Sequence, residues 1–324
     1  MAYKQIVYQR AKAELENRRK KAEAQNDARR LEAISLCPEI ARTEAEIASY
    51  GLDAVKALGM GGDAEKYIRE LSVKSLAAQD KKKALLKSVG LPEDYLEIKY
   101  TCPICKDTGS HDGYFCDCQK KEVIAQAKAL LGETTPVKKC TFEKFSVNFY
   151  PDVVDPKLGV SQREHMRSVF NFCKQYADHF TKKAQGIIMY GGTGLGKTHL
   201  SLAIANVVIE RGYDVYYASV QSIMEKLERE HFGRKNTDES EKEAIINADL
   251  LIIDDLGVEF VTQFTTAALH DLLNTRMLKG LPTIISTNLE MDEIYEKYTQ
   301  RIASRLFGSS LPLAFCGKDI RQIK

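Results

Sequence analysis

Residues 186–198 read Gly-Ile-Ile-Met-Tyr-Gly-Gly-Thr-Gly-Leu-Gly-Lys-Thr, an apolar run that opens into a glycine-rich loop and closes on a lysine and a threonine. Gly191 to Thr198 satisfies the G-x-x-x-x-G-K-[ST] phosphate-loop pattern. Its context fits: Ile187, Ile188 and Met189 predict a buried strand, and Leu200, Ile204, Val207 and Val208 recur at helical spacing between His199 and Arg211. Gly191, Gly192, Gly194 and Gly196, with Thr193 and Leu195 between them, let backbone N–H groups wrap a polyphosphate at a helix N-terminus. Lys197 is expected to reach the β and γ phosphates of ATP, and Thr198 to hold Mg²⁺.

Working outward, Asp214 to Ala218 predicts a second strand, Ser222 to His231 a helix, and Gly233 to Glu241 a polar stretch. Leu250 to Ile253 predicts a third strand that delivers Asp254 and Asp255 at its carboxyl end. This is the Walker B arrangement, in which Asp254 binds Mg²⁺ through water and Asp255 orients the attacking water. A helix is predicted over Thr262 to Leu278 and a fourth strand over Thr283 to Thr287, ending at Asn288, whose amide can bridge the γ-phosphate and that water. One helix is predicted over Asp292 to Phe307, with Arg301 and Arg305 one turn apart on one face, and a fifth strand over Leu311 to Phe315. The expected fold is α/β, a P-loop NTPase core on a five-stranded parallel sheet with nucleotide at the strands' carboxyl ends. Before it, a helix is expected over about Ser161 to Phe180. Phe142 and Phe145 stand either as adenine-pocket lining or as core.

The amino-terminal third differs in texture. Residues 3–33 lack Pro and Gly and are rich in Ala, Glu, Lys and Arg, with Ile6, Val7, Ala11, Leu15, Leu31 and Ile34 as sparse apolar marks on or just after a long solvated helix. Cys37-Pro38 should break it, and two further helices, Ile40 to Leu58 and Ala64 to Val89, are expected on either side of Gly59, Gly61 and Gly62. Residues 1–98 thus form a helical arm that reads as a partner-docking surface or a plain extension of the fold. Residues 99–120 carry Cys102, Cys105, Cys116 and Cys118 in a CxxC…CxC set, a knuckle suited to structural Zn²⁺, with His111 an alternative fourth ligand. Residues 121–140 are read as a linker and 141–324 as the ATPase domain. Cys37, Cys140, Cys173 and Cys316 are scattered and read as small core residues.

The chain has 324 residues with 47 basic and 45 acidic side chains, so its net charge of +2 neither requires nor excludes a local basic strip. No apolar run approaches the ~18 residues of a membrane span, and the charged first 21 residues are unlike a secretory leader. A cytoplasmic protein with reduced cysteines and no membrane partner is expected.

These motifs together resemble the bacterial DnaC/DnaI-type helicase loaders, an AAA+ ATPase group that includes the IstB-like transposition helpers. The resemblance covers about 136–321. It rests on Gly191 to Thr198, Asp254-Asp255 where most AAA+ proteins have Asp-Glu, Ser286-Thr-Asn288 as a sensor-1 strand, Arg301-Ile-Ala-Ser-Arg305-Leu, and Gly317 to Arg321. It implies no carboxy-terminal helical lid, Arg305 as an arginine finger on a neighbour's nucleotide, and Arg321 as a sensor-2 arginine reading the γ-phosphate. It further implies self-association in the presence of ATP, and Ser222 to His231 as an insert steering single-stranded DNA. The knuckle ahead of the ATPase is similar to the DnaI branch, whose amino-terminal region binds the replicative helicase. The expected function is loading of a DnaB-type ring helicase onto single-stranded DNA. The rivals are an IstB-like transposition helper and a non-catalytic scaffold stabilised by nucleotide.

Overall fold

The computed structural model describes residues 2–57, 64–156, 158–233 and 241–322. The expected break at Gly59, Gly61 and Gly62 lies outside these residues, as do 234–240 of the expected polar stretch. The chain divides into two compact units, residues 12–119 and residues 1–11 with 120–324.

The first unit is built on helices. α1 (Ala2–Leu36) is 35 residues long, and α2 (Glu39–Ala57) and α3 (Ala64–Ser88) pack along one another. α1 ends where expected, because Pro38 disfavours helical geometry at Cys37. Burial is sparse: Ala33, Ile40 and Leu86 form one small cluster backed by Cys37, Leu85, Leu91, Tyr95 and Leu96. Charged cross-helix pairs lie on the surface, such as Arg30–Glu44 at 2.6 Å and Lys81–Glu39 at 2.7 Å. Exposed pairs of this kind contribute little stability. Of the marks read along α1, Val7, Ala11 and Leu15 are buried, whereas Ile6 and Leu31 are exposed. The unit ends in a two-stranded antiparallel hairpin, β1 (Ser110–His111) and β2 (Tyr114–Phe115). Among the described residues, no helix is long and apolar enough to cross a membrane.

The second unit holds the sheet. Beyond α4 (Asp117–Thr134) and α5 (Gln162–Asp178) the chain alternates β3 (Gly186–Tyr190), α6 (Lys197–Glu210), β4 (Val215–Ser219), α7 (Val220–Phe232), α8 (Glu241–Asn247), β5 (Leu250–Leu256), α9 (Gln263–Leu278) and β6 (Thr283–Thr287). α10 (Met291–Lys297), α11 (Gln300–Ser309) and β7 (Ser310–Ala314) complete it. The five long strands are all parallel, in the order β4-β5-β6-β3-β7. This is the α/β architecture, with a five-stranded parallel sheet, that the sequence leads one to expect. Alternate strand residues feed two cores. Ile187, Met189, Leu250, Ile252 and Ile284 pack under α5 and α6, while Ile188, Leu251, Ile253 and Ile285 pack under α7 to α11. Burial on both faces is why these strands read as continuous apolar runs.

The sheet order positions the chemistry. β6 lies between β3 and β5, pairing Met189 with Ser286 and Ile253 with Ile285, so its carboxyl end stands between the phosphate loop and the acidic end of β5. β5 does not stop at Ile253 but runs through both aspartates. Its register against β6 shifts between Ile253 and Leu256, and Asp255 takes φ 57°. A bulge of this kind breaks the two-residue alternation, so the two adjacent carboxylates need not face opposite sides of the sheet.

One expectation is corrected. The single helix over Asp292 to Phe307 is two helices, separated at Tyr298 and Thr299, both extended. The Tyr298 hydroxyl donates to the buried carboxylate of Glu259, which in turn accepts from Gly257 N at 2.8 Å. Lys297 Nζ donates to Gly257 O. These bonds to the loop after β5 turn the chain out of the helix, a tertiary demand that local propensity does not register. α8 also went unpredicted; Arg276, buried on α9, anchors its end by donating to the carbonyls of Ile245, Ile246 and Ala248.

Candidate nucleotide site and cysteine cluster

A cavity of about 420 Å³ opens at the carboxyl end of the sheet. Thr193 to Thr198 form its floor, Asp255 and Asn288 one wall, Ile320 and Arg321 another, and Phe145 and Phe149 contribute aromatic rings. Gly196 caps α6 with φ 90°, and the first turn of α6 contains no acidic side chain, so its free N–H groups favour an anion. Close approach shapes the loop: a Cβ on Gly191 would lie 2.3 Å from the backbone oxygen of Phe315, and one on Gly196 would lie 2.8 Å from the Phe145 ring. The loop is therefore a cradle shaped by close approach, which fits a polyphosphate.

Lys197 is the cation at its centre. Its Nζ donates to Gly191 O and Gly192 O, each at 2.6 Å, and to Asn288 Oδ1 at 2.8 Å. Burial lowers its pKa to about 8, against the opposing pull of Asp255 and Asp254. Asp254 is buried and accepts from the Thr198 hydroxyl at 3.1 and 3.2 Å. That hydroxyl beside a carboxylate is a hard oxygen set suited to Mg²⁺. Asp255 lines the cavity, its backbone N–H held by Ser286 Oγ at 3.1 Å. Burial, then the neighbouring Asp254 charge, raises the Asp255 pKa.

The two arginines part company. Arg321 lines the cavity, exposed, in a fork with Asp319 at 3.1 Å, and Ile320 N donates to Gly194 O at 3.1 Å, tying this segment to the loop. Arg305 does not line it. It sits on α11 with Nε on Asn274 Oδ1 at 2.9 Å and a terminal nitrogen on Arg301 O at 3.0 Å. The two roles weighed for the phenylalanines divide: Phe142 is buried in the core, while Phe145 is half-buried, stacks on Phe170 and faces the cavity. Two contacts escaped the sequence reading, which named Ser286 only as part of the sensor-1 strand: the hydroxyls of Tyr217 and Ser286 both donate to the Asp254 carboxylate. Ser286 carried a legible signal, since it lies two positions before Asn288, at the carboxyl end of β6 where the apolar pair Ile284-Ile285 gives way to polar residues. Tyr217 carried none.

In the amino-terminal unit, the Sγ atoms of Cys102, Cys105, Cys116 and Cys118 all lie within 4.8 Å of one another. Cys102 and Cys116 are 3.7 Å apart, and Cys105 and Cys118 3.3 Å. Four thiolates on one tetrahedral Zn²⁺ stand about 3.8 Å apart, given a Zn–S bond of about 2.3 Å, so the donor set fits. Asp107 shapes the first knuckle, its buried carboxylate accepting from Thr101 N at 2.8 Å and Cys102 N at 2.9 Å. His111 stands outside this cluster, paired with Asp112 at 3.0 Å.

Residues 172–304 match the family described as IstB-like ATP binding protein. The chain is 26% identical over 179 residues to the replicative helicase loader DnaC of Escherichia coli (strain K12), covering 55% of this chain and 67% of that protein. It is 30% identical over 149 residues to the replicative helicase loader DnaI of Bacillus subtilis (strain 168), covering 46% of this chain and 45% of that protein. A crystal structure of the DnaC helicase loader superposes over 56% of this chain and 100% of that chain, at 16% identity and a TM-score of 0.47.

Proposed function

We propose that the chain is a DnaC/DnaI-type AAA+ protein, an ATP-dependent loader that places a DnaB-type ring helicase on single-stranded DNA during replication. One observation carries the reading. Lys197, Thr198, Asp255, Asn288 and Arg321 line a single cavity, in a chain whose relatives are named replicative helicase loaders.

The site's residues divide the work. Loop N–H groups from Gly191 to Gly196 bind the phosphates, and Lys197 exchanges its carbonyl partners for β and γ oxygens. Thr198 and Asp254 would hold Mg²⁺, which when bound neutralises charge on the phosphates. Asp255 and Asn288 orient the attacking water, and the raised pKa of Asp255 suits it to accept that water's proton. Arg321 reads the γ-phosphate from the same subunit. Arg305, which does not line its own cavity, acts on a neighbour's nucleotide when subunits associate in ATP. Residues 1–98 grip the helicase, and 99–120 form a structural zinc knuckle held by Cys102, Cys105, Cys116 and Cys118. Residues 121–140 link these to the ATPase domain, 141–324, and the protein acts in the cytoplasm.

The IstB-like match favours a second reading, an ATP-dependent transposition helper. Purifying the full chain from its native cell with ATP separates the two: a ring helicase is expected to co-purify. Recovery of a transposase in its place would favour the second reading. A folded protein that releases no phosphate even with DNA and partner present would leave only a scaffold.

A further inference from the structure

We propose that Tyr217 is a positioning residue for cation-assisted nucleotide binding, fixing the Asp254 carboxylate in the orientation that Mg²⁺ requires; this rests on reading the cavity as an ATP site. The Asp254 carboxylate is buried, and its two oxygens are held by different donors. Ser286 Oγ donates to Oδ1, and the Tyr217 hydroxyl donates to Oδ2. A carboxylate held on one oxygen still turns about its terminal torsion, which is broad and shallow. Held on both, it cannot turn, and the Thr198 hydroxyl then meets it in one geometry.

Tyr217 reaches Asp254 from outside the nucleotide cavity. Its ring lines a separate cavity of about 540 Å³ with Ser219, Ser222 and Lys226, and it is not among the residues that line the phosphate site. The hydroxyl therefore acts through Asp254 and does not touch the nucleotide. Its neighbour Tyr216 is used differently, accepting from Lys226 Nζ at 3.0 Å. Partners that orient a metal-binding group typically change metal affinity by about 10–100-fold when removed.

The test uses the full chain, a fluorescent ATP analogue and a Mg²⁺ series, with EDTA as the zero point. Tyr217→Phe keeps the ring and removes the donor. The expected result is an unchanged analogue affinity in EDTA and a roughly tenfold rise in the Mg²⁺ concentration that half-saturates the cation-dependent gain. In Asp254→Asn the gain should be lost, and adding Tyr217→Phe should change nothing further. An unchanged Mg²⁺ midpoint in Tyr217→Phe would overturn the proposal. So would a loss in EDTA as large as that in Mg²⁺, or additive losses in the double variant. A wild-type chain that binds no analogue at any Mg²⁺ concentration would instead refute the ATP-site reading beneath it.

Discussion

Lys197 Nζ donates to Asn288 Oδ1 at 2.8 Å, tying the phosphate loop to the carboxyl end of β6 across the cavity. With Gly191 O and Gly192 O as its other acceptors, each of the three ammonium protons has a partner. In the proposed ATP complex, polyphosphate would exchange these neutral acceptors for charged ones and release Asn288 toward the γ-phosphate. On that reading the lysine and the residue beyond the fourth core strand would respond to the same ligand.

Burial holds Lys197 near pKa 8, and bound phosphate favours its charged form, so ATP binding above pH 8 requires proton uptake. At pH 9 most free sites carry a neutral lysine, and at pH 7 most carry the ammonium. ATP affinity, measured calorimetrically at saturating Mg²⁺, should fall about tenfold between pH 7 and pH 9. Lys197→Arg, if it binds, should show no such slope, and Lys197→Ala should abolish binding while leaving the circular dichroism spectrum intact.

Asp254 and Asp255 should separate binding from turnover. Asp255→Asn is expected to keep ATP affinity within about twofold and to lower phosphate release by about 100-fold or more, the scale of a lost general base. Asp254→Asn should weaken Mg²⁺-dependent turnover more than nucleotide binding. Equal losses of affinity and turnover in Asp255→Asn would place that carboxylate on the ground-state nucleotide.

The polar partners of Arg305 are Asn274 and the Arg301 carbonyl, so its removal should spare its own subunit's ATP affinity. Arg305→Ala protein should bind ATP yet hydrolyse poorly. Mixed with Lys197→Ala protein, it should regain part of the wild-type rate at shared interfaces. Assembly without any regained rate would remove the trans role.

How far these sites could be read in advance varied with how local their determinants are. The phosphate loop was legible because close backbone approach demands glycine, and Gly191 shows the demand directly, since a Cβ there would lie 2.3 Å from the backbone oxygen of Phe315. The strands were legible because both faces are buried, leaving Leu250 to Ile253 and Thr283 to Ile285 nearly free of polar residues. The break at Tyr298 was not legible, because it depends on Glu259, 39 residues away in the chain. Tyr217 was hidden for the same reason: its partner Asp254 lies on another strand, and a tyrosine in β4 reads as ordinary strand composition.

One zinc per chain is expected in protein purified under reducing conditions, measured by elemental analysis. Cys118→Ser should lower occupancy, whereas His111→Ala should retain it, since that imidazole pairs with Asp112 outside the thiol cluster. Chelation should raise hydrogen exchange across residues 99–120 and leave ATP affinity unchanged. Zinc retained in Cys118→Ser and lost in His111→Ala would move the fourth ligand to His111.

The central claim is that this chain uses its ATP site to place a ring helicase on single-stranded DNA. The direct measurement is the amount of a DnaB-type helicase from the same cell that becomes bound to a covalently closed single-stranded circle, with the full chain and ATP added. Wild-type protein should raise that amount well above helicase alone, and Lys197→Ala should not. The gain should shrink as salt rises, because DNA engagement by Lys and Arg releases counterions. A gain of equal size with Lys197→Ala, or none with wild-type protein that binds both ATP and the helicase, would contradict the account.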